Sequence, residues 1–127
     1  MKVNKGSGRG QGFIEVVSVA LVLIPLALAL LDLIVVVIAN SMNDTAAKNC
    51  ARAAANQGDQ NSANQAAAKA LATFNSSAIV HSINQQCTWT TDTATVKTTM
   101  VVNLPVPFPG FGQLTFVAQD VEPVVSN

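Results

Sequence analysis

From Val16 to Ala39 the chain is apolar except at Ser18, Pro25 and Asp32. A helix rising about 1.5 Å per residue needs roughly 20 apolar residues to cross a hydrocarbon core about 30 Å thick. This run meets that length with some to spare. Leu, Val, Ile and Ala surround it on every side, and no polar stripe recurs at the helical period, as one would on the amphipathic helix of a soluble domain. Val37-Ile38-Ala39 has the small-residue ending of a signal-cleavage site. The apolar region of a secretory signal, however, usually runs to only about 7–15 residues. The run therefore predicts a retained membrane helix, with Pro25 bending or loosening it at mid-length because proline has no N–H to donate.

Lys2, Lys5 and Arg9 all precede the run. Basic residues stay on the cytoplasmic side, so the chain beyond Ala39 is expected to be exported. In Arg9-Gly10-Gln11-Gly12-Phe13-Ile14-Glu15 a glycine stands five residues ahead of an acid at the lip of the helix. Cleavage after Gly10 would make Gln11 the first residue and Glu15 the fifth. The new amine and the carboxylate would then pair, most naturally between neighbouring subunits, since apolar surroundings strengthen the attraction. Gly8 and Gly12 are competing cut points, and the plainest alternative for Glu15 is an interfacial charge that costs little. Asp32 lies 17 residues further on, about 25 Å along a helix and on a different face. It either snorkels toward the exported interface or meets a protein partner, as intramembrane acids usually do.

A chain of 127 residues holds one small domain beside such a helix. Three segments follow: a basic leader at 1–10, a membrane helix at 11–39, and a small exported domain at 40–127. Loss of the leader leaves Lys48, Arg52, Lys69 and Lys97 against seven acids, a net side-chain charge of −3. Nucleic-acid binding needs a basic face, and this chain has none. Two cysteines and a lone His81 do not supply a four-ligand zinc site, and no spacing joins a nucleophile to a base. We read no enzyme and no cofactor.

Ala-rich sequence with no Gly or Pro between Pro25 and Gly58 predicts that the first helix continues to about Ala55. Ala47, Cys50, Ala51, Ala54 and Ala55 form a narrow small-residue face on it. After the polar turn Gln57–Ser62, Asn64 caps a second helix with Ala67, Leu71 and Phe74 inward and Ser76-Ser77 at its end. Strands follow. Ile79, Val80 and Ile83 open them, and Thr88-Trp89-Thr90 leads into a turn at Thr91-Asp92-Thr93. Thr95 to Leu104 then alternates, with Val96, Met100, Val102 and Leu104 on one face. The segment Pro105–Gly112 reads as a loop, because prolines are excluded from central strands. Leu114 to Val121 closes the set. The expected class is α+β: a long N-terminal transmembrane helix running on into an exported Ala-rich helix and packed on a small antiparallel sheet. A Cys50–Cys87 disulfide would staple helix to sheet, adding about 3–4 kcal/mol in the chain-entropy model; otherwise both are separate buried small residues. Phe108 and Phe111 are either a contact knob for a partner or fold back onto the sheet.

These residues carry a resemblance. Arg9-Gly10-Gln11 followed by Glu15 and a membrane helix resembles the TadE/TadG-type pseudopilins of tight-adherence (Tad/Flp) pili, within the type IV pilin-like superfamily. Asp32 corresponds to the second acid such proteins tend to carry near the exported end of the helix. Asn49-Cys50-Ala51-Arg52-Ala53-Ala54 and the late Pro-rich segment Leu104–Gly110 also fit. The chain departs from the pattern in having Val16 directly after Glu15 and its first proline as late as Pro25. The resemblance implies cleavage after Gly10 by a prepilin peptidase, and a minor pilin that meets other pilin subunits and an inner-membrane assembly platform. It also implies a role in surface adhesion. The competing expectation is an unprocessed single-pass anchor in the inner membrane carrying a small periplasmic binding domain.

Overall fold

The computed structural model describes residues 7–75, 78–108 and 110–125, with side chains from residue 10 onward except at 108 and 111. Lys2, Lys5 and the Ser76-Ser77 helix end lie outside the described residues. One helix, α1, runs without a break from Ser7 to Ala55. Its 49 residues make a rod about 73 Å long. A short second helix, α2 (Gln60–Ala72), and three strands follow: β1 (Val80–Trp89), β2 (Thr93–Phe108) and β3 (Phe111–Pro123). The strands form one antiparallel sheet in the order β1-β2-β3. The α+β class expected from the sequence is what the chain adopts.

The two halves of α1 have different surroundings. From Phe13 to Leu31 almost every side chain is exposed. From Asp32 onward a stripe at three- and four-residue spacing is buried: Asp32, Ala39, Asn43, Ala46, Ala47, Cys50, Ala51, Ala54 and Ala55. The stripe is mostly alanine, so α2 and the sheet approach the helix backbone closely. Ile83, Val96, Met100 and Val102 project onto it from the sheet, and Ala63, Ala67 and Leu71 from α2. On β2 the alternation is as the sequence predicts: Ala94, Val96, Thr98, Met100 and Val102 are all buried.

Three local expectations are corrected. Asp59, not Asn64, caps α2: in extended backbone geometry its Oδ1 accepts the Ser62 N–H at 2.9 Å. Asn64 lies one turn inside, accepting from Gln60 Nε2 at 3.1 Å. The Pro-rich segment is not wholly a loop, since the central strand β2 continues through Pro105 and Pro107 to Phe108. It can do so because the ladder is interrupted there. β1 starts at Val80, opposite Val102, and the β2–β3 register breaks between Asn103 and Phe108. Among the described residues no neighbouring strand asks for the N–H groups that Pro105 and Pro107 lack. Finally, Cys50 and Cys87 are free thiols rather than a disulfide. Cys50 lies on the seam with α2, and its Sγ–H points to the Ala67 carbonyl at 3.3 Å.

Candidate functional site

The two ends of the exposed half of α1 hold the residues singled out by sequence. Gly10 and Gln11 sit in the first turns and are open to their surroundings. A Cβ added at Gly10 or at Gly12 would meet nothing within 4 Å, and neither glycine has positive φ. Glycine inside a helix costs about 1 kcal/mol relative to alanine. Neither packing nor backbone geometry therefore explains these two glycines. Glu15 is exposed too, and among the described residues it makes no hydrogen bond or ion pair. It is a bare carboxylate beside Phe13, Ile14 and Val16 on an apolar rod, with Phe13 and Ile14 themselves 71% and 65% exposed.

Asp32 marks the other end. It is only 7% exposed. Its Oδ1 accepts the Val106 N–H at 3.1 Å, while Oδ2 is buried with no partner among the described residues. The structure thus brings Asp32 to the Pro-rich end of β2 rather than to solvent. Residue type held a signal that sequence reading missed. In Pro105-Val106-Pro107 only Val106 owns a backbone donor, and Asp32 supplies the buried acceptor it needs. Glu15 and Asp32 remain far apart on different faces of α1.

Phe108 and Phe111 pair across the β2–β3 turn through their backbones, and their side chains lie outside the described residues. Gly110 between them has φ +88, a conformation that disfavours any other residue. Above this tip the seam holds a second polar contact unforeseen from sequence. Thr98 Oγ1 donates to Asn43 Oδ1 at 2.8 Å, with both residues fully buried. Gln60 likewise covers part of the β1 edge. Its Oε1 accepts the Trp89 N–H at 2.7 Å and its Nε2 donates to the Cys87 carbonyl at 2.9 Å.

At the pole farthest from the bare helix, Asn56, Gln57, Gly58, Trp89, Thr91, Val124 and Val125 line an open cleft of about 400 Å³. It contains no acid, base or thiol. Among the described residues no three His, Cys, Asp or Glu side chains converge on a point that would hold a metal. His81 stands exposed on β1. Burial, and secondarily the nearby Cys87, push the Cys50 thiol up to about 11, so at neutral pH it is an inert packing group and not a nucleophile. One feature is plain: α1 is long and apolar enough to cross a membrane, and its bare half lies near the N-terminus. Comparison with protein-family models, curated proteins and solved structures finds no match to the chain.

Proposed function

We propose that this chain is a pilin-like structural subunit, a minor pilin or pseudopilin of the TadE/TadG type. It is held in the inner membrane by the first half of α1, cut by a prepilin peptidase after Gly10, and then assembled with other pilin subunits through that helix. The observation that carries the reading is the pair of glycines ahead of Glu15. They sit in open space on a helix they weaken, which suits a site read by another protein better than one shaped by this fold. The division of α1 supports it as well: one half is bare and apolar, and the other is built into a small α+β head. An uncovered apolar rod is a surface that either lipid or neighbouring helices must cover.

The reading is tested by co-expression with a prepilin peptidase and N-terminal sequencing of the product. The expected new N-terminus is Gln11, and Gly10→Ala should slow or abolish its appearance. A full-length N-terminus in the presence of an active peptidase would leave the alternative, an unprocessed single-pass anchor that displays a small exported domain. The Trp89 cleft at the far pole is the feature that favours that alternative.

A further inference from the structure

The bare apolar surface of α1 does not stop at Asp32. Leu33, Ile34, Val37 and Ile38 are 47–61% exposed. Counted from Phe13 to Ile38, the uncovered belt is about 39 Å long at the helical rise, which about 30 Å of hydrocarbon covers when the helix tilts by about 40°. If lipid stopped at Asp32, these four side chains would stand together in water. A bilayer edge near Ile38 covers them, and it places Asp32 beneath that edge.

β2 descends along the helix toward the same level. The Thr98–Asn43 contact and the Val106–Asp32 contact are separated by eight strand residues and eleven helix residues. At the standard rises these are about 26 Å of strand and about 16 Å of helix axis, so the strand crosses obliquely and gains about 2 Å of depth per residue. Pro107, the next residue along the strand, accordingly lies about 2 Å deeper than Val106. The composition fits that depth: between Lys97 and Asp120 the chain carries no charge. The backbone fits too. A strand end in lipid normally leaves N–H groups unsatisfied at several kcal/mol each. Here Pro105 and Pro107 have no N–H to strand, and the Val106 N–H between them is taken by Asp32.

We propose that the Pro-rich end of β2, Pro105–Pro107, is a membrane-inserted wedge, seated in the exported leaflet of the bilayer beside its own helix, with Asp32 accepting the one backbone N–H this stretch owns. The proposal rests on α1 spanning a bilayer and does not depend on cleavage after Gly10. Trp89, the chain's one tryptophan, lies at the opposite pole and serves as a built-in control. Full-length protein reconstituted into phosphatidylcholine vesicles, with and without lipid brominated along its acyl chains, provides the assay. Bromine in both leaflets makes the direction of insertion irrelevant. Wild-type emission should be indifferent to bromine. Pro107→Trp should add emission that brominated lipid removes, as should Leu23→Trp in mid-helix. Pro105→Trp is the second wedge variant, and protection of Cys50 from alkylation shows that each variant is folded. Quenching of Leu23→Trp without either wedge variant would overturn the wedge and leave the membrane helix standing. No quenching at any of the three positions would overturn both. Emission from the wedge variants that resists bromine but shifts to the blue as protein density rises would place a second copy over the segment, and would also overturn the wedge.

Discussion

Thr98 and Asn43 meet across the seam between β2 and α1, and both are fully buried. Removing one member of such a pair leaves the other's polar atom desolvated and unpaired, at about 1–3 kcal/mol. Thr98→Val keeps the shape and deletes the donor, so it should lower the stability of detergent-solubilised protein by about that amount. Thr98→Ser should retain most of it, and thermal melts followed by circular dichroism give the comparison. Cys50 acts at the same scale through its proton. Its thiol is raised from 9.0 to about 11 by burial, with Cys87 adding to the shift. Below pH 9 the thiol is protonated in folded and unfolded chains alike, and stability owes nothing to the shift. Between pH 9 and 11 the unfolded chain loses this proton while the folded chain keeps it. Stability therefore falls as pH rises, by about 3 kcal/mol in all at 1.36 kcal/mol per unit. Cys87 is raised by burial as well and works in the same direction. Melts of wild type against Cys50→Ala across that window check the point: the variant should lose the larger part of the alkaline slope. A slope unchanged by the substitution would assign it to other groups.

Among the elements, β2 is the one whose extent depends most on a single distant side chain. Past Asn103 it has no ladder on either side until Phe108, and Asp32 holds it to the helix through the Val106 N–H. Asp32→Leu should free that N–H without disturbing the ladder from Thr93 to Asn103. Amide exchange at Val106 should accelerate while Val96 and Met100 stay protected, and Asp32→Asn, which keeps an acceptor, should preserve protection at Val106. Exchange that is equally slow in Asp32→Leu would mean that something else covers the segment. This dependence explains why the strand was not legible from sequence. Three prolines in five residues describe a segment that cannot pair laterally, and a partner 74 positions away leaves no local periodicity. The α2 cap was hidden differently: Asp59 stood inside a polar cluster that reads as turn, although an Asp directly ahead of an Ala-rich helical stretch is itself a cap signal. What was legible is periodic or compositional. The break-free Ala-rich stretch ends at Ala55 as read, and the alternation on β2 assigns its buried face correctly. The free thiols of Cys50 and Cys87 were beyond reach for a geometric reason. Composition places both near the helix–sheet seam but does not say that the Cys50 Sγ–H turns toward α2.

For the whole molecule, the governing fact is that one continuous helix serves two environments, and its charges mark the changeover. From Gln11 to Leu31 Glu15 is the only charge; from Asp32 onward the helix is clad on one side by protein. A carboxylate that makes no hydrogen bond or ion pair among the described residues contributes nothing to the fold of the head, so changing it separates the two functional readings. Glu15→Ala should leave the thermal melt of the solubilised protein and its extraction from membranes unchanged, since no packed residue touches the position. In a cell that supplies the peptidase and the partner pilins, the same variant should still be cut after Gly10, yet fail to leave the membrane in sheared filament fractions. The carboxylate would be missing as counter-charge for a neighbour's new amine, an attraction strengthened by apolar surroundings. Glu15→Asp keeps the charge on a shorter arm and should recover part of the assembly. Gly10→Ala should fail one step earlier, with the leader retained and Glu15 intact. If Glu15→Ala reaches the filament fraction as well as wild type does, the acid is an interfacial charge and the subunit reading loses its central contact. The α+β head would then be the working part of the chain, and the Trp89 cleft the place to look for what it binds.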